Sequence, residues 1–263
     1  MNMKKWMALC LAMLMVVLCF AGCGGKKEQT DLEYVKEKGT LLVGITDFEP
    51  MDYKDDSGKW IGFDADMATA FAKELGVEVQ FVEIEWDNKV MELDGKTIDC
   101  VWNGMTLNDE VMAAMATSQA YCNNQQIVIV PKDKAEQCAT VEGCKGMKFA
   151  VESGSAGKKE AVAKGFDVIE VKDQATALME VAAGTADGAV IDSLMAAAMV
   201  GEGTSYANLT YTVGLSDEKY GVGFRKGSDL VAELNKFFDK ALADGSMMKA
   251  AETYKVQAAL ITK

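Results

Sequence analysis

Apolar and polar residues along this chain change rhythm in a regular order. Residues 40–45 form a short apolar run of β character. Across 64–75 the apolar Met67, Ala68, Phe71 and Leu75 fall at helical spacing, and Gly76 stops the run. Residues 77–84 alternate as a strand does, 88–93 read as a short helix, 98–102 as a buried strand, 109–115 as a helix and 127–130 as another strand. The rhythm then restarts. Strands at 148–151, 168–171 and 188–191 are each followed by a helix, at 157–164, 175–183 and 193–200. Near the end, Ser228 is placed to cap a helix carrying Leu230, Val231, Leu234, Phe237, Phe238 and Leu242, with Gly245 to close it and a short helix at 247–254 after it. Such alternation predicts an α/β fold with parallel sheets covered on both faces, as two units in series. Periodicity leaves open which unit receives the last two helices.

The first residues follow a different logic. Lys4 and Lys5 precede an apolar run over 6–21, and the small residues Ala21 and Gly22 stand directly before Cys23. A basic start, a short apolar core and a small-residue cleavage site make a secretory signal over 1–22, to be set apart from the fold. The 16-residue run falls short of the ~18 apolar residues of a spanning helix. Phe20-Ala21-Gly22-Cys23 resembles a bacterial lipobox, with Phe20 where leucine is usual. Cys23 is then the expected lipidation site and first mature residue, and 23–30 a flexible tether. An uncleaved anchor is the alternative, and either way the working domain is extracytoplasmic.

The remaining residues suffice for two lobes. The net charge of the whole chain is −13. Such a surface repels nucleic acid and anionic lipid, and no nucleic-acid partner is expected. Histidine is absent, which excludes a Ser-His-Asp site and any His-ligated metal. Arg225 is the sole arginine, too few for a cluster of bidentate clamps. Cys100 reads as a small core residue. Cys138 and Cys144 are close enough in sequence to form a disulfide or to stay as thiols, and their spacing matches no zinc pattern.

Several segments, in order, resemble one family. They are Leu41-Leu42-Val43-Gly44-Ile45 with Pro50 and Gly58; Gly62-Phe63-Asp64-Ala65-Asp66; Trp86-Asp87; and the run from Ile98 through Asn103-Gly104-Met105-Thr106. Further on they are Tyr121 with Ile127-Val128-Ile129-Val130; Glu152-Ser153-Gly154-Ser155-Ala156-Gly157; the run from Ala186 to Asp192; and Tyr220-Gly221-Val222-Gly223-Phe224-Arg225-Lys226. Together they resemble the family 3 extracellular solute-binding proteins of amino-acid ABC transporters, which have the type II periplasmic-binding fold. The resemblance spans about residues 35–258. It implies two lobes with the ligand cleft between them: lobe one at 31–124 plus 224–263, lobe two at 125–223. Closure about the crossovers would present the liganded form to an ABC permease.

A cleft for a small zwitterion needs an acceptor for the ammonium and donors for the carboxylate. Asp192 ends an apolar strand and precedes a helix, so by position alone it is either a cleft residue or a helix cap. The resemblance makes it the ammonium acceptor. Gly154, Ser155 and Ala156 precede a helix whose free N–H groups suit an anion, and the family uses this loop for the ligand carboxylate. The resemblance carries over Asn103, Gly104, Met105 and Thr106 as backbone and hydroxyl contacts. It also makes Phe48 and Trp86 aromatic walls and Asp47 a further contact. Val111 stands where the family has the arginine that clamps the carboxylate. That departure argues against an acidic ligand.

The expected function is therefore a lipid-anchored, monomeric solute-binding protein that captures a small amino acid, neutral or cationic, for an ABC permease. No cofactor or metal is expected, and no catalysis. Alternatives are a binder of an amine or amino-acid derivative, a dehydratase-like enzyme on the same fold, and a receptor sensor domain. The last expects a spanning helix after residue 254, and none is written there.

Overall fold

The computed structural model describes residues 29–262. The signal segment, Cys23 and most of the tether lie outside the described residues.

Nine strands share one sheet. β1 (Thr40–Ile45) runs parallel to β4 (Glu78–Glu83) on one side and to β5 (Cys100–Thr106) on the other. At the other end of the sheet, β8 (Lys148–Glu152) lies parallel to β9 (Asp167–Val171) and to β10 (Gly188–Asp192). Both groups are βαβ units, in which a helix carries the chain back so that successive strands point the same way. The helices are α1 (Asp31–Lys38), α2 (Phe63–Leu75), α3 (Lys89–Asp94), α4 (Asp109–Ala114), α5 (Ala156–Ala163), α6 (Gln174–Ala183) and α7 (Ser193–Met199). A hairpin of β2 (Tyr53–Lys54) and β3 (Trp60–Ile61) stands apart from the sheet. Gly76 takes the left-handed conformation at the end of α2, as the sequence predicts.

The expectation of purely parallel sheets fails at the centre. β7 (Cys122–Pro131) and β11 (Leu209–Phe224) are antiparallel to each other and to their neighbours, giving the order β4-β1-β5-β11-β7-β10-β8-β9, with β6 (Ala116–Thr117) on β11. The chain leaves the first group along β7 and returns along β11, so these two strands run in opposite directions. β11 pairs with β7 from Leu209 to Tyr220, then with β5 from Tyr220 to Phe224. Tyr220 is the point where it passes from one group to the other.

The C-terminal helices α8 (Leu230–Ala243) and α9 (Ser246–Thr253) settle on the first group. Leu230, Leu234, Phe237, Phe238 and Ala241 form the buried stripe of α8. Phe237 meets Phe71 of α2 at 5.5 Å, and Phe238 meets Trp102 of β5 edge-on at 5.5 Å. Ser228 caps α8 as expected, its hydroxyl accepting the Leu230 N–H at 3.4 Å. Asp229, already helical in backbone, makes no cap bond, and its carboxylate accepts from the Leu32 N–H. Arg225 is pinned inside the first group, on Asp31, Asp99 and the carbonyls of Leu93 and Ile98. Cys138 and Cys144 are buried free thiols.

Candidate functional site

A cleft opens where β5, β8 and β10 end. Strands in an open α/β sheet deliver side chains at their carboxyl ends, where the backbone turns into a loop or helix. Here the last residues are Thr106, Glu152 and Asp192, and all three line the cleft.

Asp192 is buried. It occupies the cap position of α7 but makes no cap bond. Its carboxylate turns inward and collects donors from four residues: Asn124, Gln126 at 2.9 Å, Tyr220 at 2.7 Å, and Gln174. Gln174 closes a ring by accepting the Asp192 N–H at 2.8 Å. Behind this cluster stands Glu218, which shares the amides of Asn124 and Gln126 and accepts the Thr106 hydroxyl at 2.8 Å. Burial and the neighbouring Glu218 charge push the Asp192 carboxyl well above the usual carboxylate range. Glu152 faces the same space, with its Oε1 3.1 Å from the Thr46 hydroxyl, and burial pushes its carboxyl up to about 8. Gln126 is buried with its Oε1 unpartnered. This end of the cleft gathers carboxyl and amide acceptors with no lysine or arginine within 4.0 Å of Asp192 or Glu152 among the described residues.

The other end is built from the start of α5. Ser155 caps the helix, its hydroxyl accepting from Lys158 N–H, so that hydroxyl is already engaged. The first N–H groups of a helix have no intrahelical partner, and Gly154, Ser155 and Ala156 present that turn to the cleft. Gly154 has φ +70°, and a Cβ there would sit 2.5 Å from the Asp87 carboxylate, so only glycine fits. Trp86, Asn108 and Val111 line the facing wall, where Asn108 caps α4 by accepting the Val111 N–H.

The floor is the Asn103–Thr106 turn of β5. Gly104 has φ +55°, with Phe48 packed so close beneath it that a Cβ would lie 2.4 Å from the ring. The Asn103 side chain points away from the cleft, to Thr46 and Asp52, and Met105 is buried in the core, so both contribute through backbone. Ten of the sequence-derived candidates thus meet at one cleft: Trp86, Asn103, Gly104, Met105, Thr106, Val111, Gly154, Ser155, Ala156 and Asp192. Two do not. Phe48 is buried under the floor, edge-on to Tyr220 at 6.3 Å, rather than on the lining. Asp47 is half-buried off the lining, and its carboxyl is raised by burial and by Asp173.

The sequence reading missed Lys89, Gln126, Glu152, Gln174 and Glu218. Glu152 was readable in principle, since it ends an apolar strand as Asp192 does. Glu218 and Tyr220 lie two apart on one strand and so share a face, but 216–219 are polar and fall outside every strand that the sequence pattern predicts. Among the described residues, no group of three or more cysteines and carboxylates is arranged to hold a metal.

Comparison with known proteins gives this geometry its context. Residues 41–257 match the model of bacterial extracellular solute-binding proteins, family 3. The chain is 30% identical to the L-cystine-binding protein of Escherichia coli over 247 residues, 92% of each chain, and 24% identical to the arginine-binding extracellular protein of Bacillus subtilis over 94% of this chain and 96% of that one. Among solved structures, a mutant of ArgBP from T. maritima superposes with a TM-score of 0.79 at 30% identity, covering 85% of this chain and 98% of that chain. An ancestral amino acid-binding protein described as a precursor of cyclohexadienyl dehydratase superposes with a TM-score of 0.77 at 32% identity, covering 85% and 98%. With the two strand groups, the crossing pair β7 and β11 and the cleft at the strand ends, these matches establish that the chain belongs to the family 3 bacterial extracellular solute-binding proteins and has their two-lobed fold.

Proposed function

We propose that this protein captures a small amino acid, neutral or cationic, in the cleft and delivers it to an ABC permease. The observation that carries this reading is the pair of neighbouring carboxyl groups, buried Asp192 and Glu218 behind it, with no lysine or arginine within 4.0 Å of either among the described residues. Burial makes the ionised form of Asp192 costly, and a ligand ammonium is the group that relieves that cost. Asn124, Gln126 and Tyr220 crowd Oδ1, whereas Oδ2 accepts from Gln174 alone, so Oδ2 is the oxygen with room for an arriving ammonium. The start of α5 lies across the cleft and suits the carboxylate of the same molecule. Relatives named for binding cystine, arginine and histidine all take molecules with an α-ammonium and an α-carboxylate and no net negative charge at neutral pH.

In this reading the lobes are 31–124 with 224–263, and 125–223, and they close about β7 and β11. The protein works as a monomer by binding and release, held at the outer face of the cell membrane through lipid on Cys23. The test is a thermal-shift panel of cystine, arginine, histidine, other neutral and acidic amino acids, and simple amines. A ligand at 100 times its Kd adds about 2.7 kcal/mol. Stabilisation by neutral or basic amino acids and none by glutamate or aspartate is expected. A panel in which no amino acid stabilises the protein overturns the reading.

A further inference from the structure

Lysine is rarely buried, because its ammonium is strongly hydrated. Lys89, the first residue of α3, is only 8% exposed, and it lines the cleft. Its Nζ donates to the carbonyl oxygens of Trp86 at 3.0 Å and Gly154 at 3.1 Å, and sits 4.9 Å from the centre of the Trp86 ring. These partners are neutral. Among the described residues Lys89 is not one of the cations with a carboxylate within 4.0 Å. Glu152, Asp87 and Glu110 act on it only from further away. A buried cation normally has an anion beside it, and the nearest partners of Lys89 are neutral carbonyls.

Two further facts give this unpaired ammonium a direction. Lys89 shares its wall with Val111, the position where the family's clamping arginine would stand. It also reaches across to Gly154, beside the first turn of α5, so ammonium and helix start converge on one side of the cleft. Asp192 stands at the end of β10 and is not among the carboxylates that act on Lys89. The cleft thus offers a carboxyl acceptor and a cationic donor at separate places, as an α-amino acid requires.

The geometry points to Lys89 as the group that receives the carboxylate of the captured molecule, in place of the arginine missing at position 111. This rests on the amino-acid reading of the cleft. An ammonium has three donors; two are held by the Trp86 and Gly154 carbonyls, and the third is available to a guest.

Calorimetric titration of paired probes tests it: L-arginine against agmatine and L-histidine against histamine, each pair differing by the carboxylate alone. In Lys89→Met, affinity for the amino acid that binds wild type falls about 10- to 100-fold, the weight of a charge-assisted hydrogen bond, while affinity for its amine stays within about threefold. Lys89→Gln, which loses the charge but keeps a donor, shows the same change in ratio. Adding Val111→Arg to Lys89→Met restores most of the loss. The inference is overturned if amino acid and amine weaken equally, if neither changes, or if both bind more tightly, the last meaning that Lys89 occupies the place of a ligand cation. Failure of the wild type to bind any amino acid is a separate result, and it removes the amino-acid reading itself.

Discussion

Asp192 is best tested by asparagine rather than alanine, and the structure says why. Asn124, Gln126, Gln174 and Tyr220 all donate to this carboxylate. Alanine strands all four donors in a buried site, at about 1–3 kcal/mol for each that finds no water. A loss of binding in that variant would report a damaged cleft as readily as a missing ligand contact. Asparagine keeps one carbonyl oxygen for Asn124, Gln126 and Tyr220, which all address Oδ1, and sets its amide against the Gln174 amide at Oδ2. One donor contact out of four is lost, offset by relief of the repulsion between Asp192 and Glu218. Unfolding free energy should therefore change by no more than about 2 kcal/mol. Ligand binding should change far more, because a neutral amide cannot supply the charge that receives an ammonium. A charge-assisted hydrogen bond contributes about 1.5–3 kcal/mol, so affinity for the best ligand falls roughly 10- to 150-fold. Titration calorimetry gives the affinity and urea unfolding the stability. An affinity within threefold of wild type, in a variant that unfolds normally, refutes Asp192 as the ammonium acceptor.

Other outcomes follow from the same geometry. Arg225→Met removes a buried guanidinium from Asp31, Asp99 and two carbonyls, and should cost about 3–5 kcal/mol in urea unfolding while leaving ligand affinity unchanged, since Arg225 lies off the cleft. Gly104→Ala forces a side chain into a left-handed backbone and against the Phe48 ring, and should lower stability by about 1–3 kcal/mol and weaken binding, read by calorimetry on both transitions. Glu152 binds its proton more tightly folded than unfolded, with the folded value at about 8 against an ordinary 4.5. Its contribution to ligand-free stability is complete below 4.5 and is lost as pH rises through about 8, so Glu152→Gln should flatten the fall in melting temperature across that window.

Local pattern alone determined much of this protein. The strand at 40–45, the helix ended by Gly76, the stripe on α8 and the strand closing at Asp192 are each set by residues within a turn or two, so periodicity and caps expose them. The family and most cleft positions were also legible, because ligand contacts in such folds sit at strand ends. Tertiary structure decided the rest. β11 extends through 216–219 because those polar residues pair with β7, and only that pairing brings Glu218 beside Asp192. Phe48 was assigned to the cleft wall but lies under Gly104, where a turn some fifty-six residues later leaves room for its ring. Lys89 has the sequence context of an ordinary exposed helix lysine; it is buried because Gly154, 65 residues away, supplies a carbonyl across the cleft. Backbone conformation is chosen by near neighbours, whereas the charge, burial and direction of a cleft side chain are chosen by segments that meet only when the chain has folded.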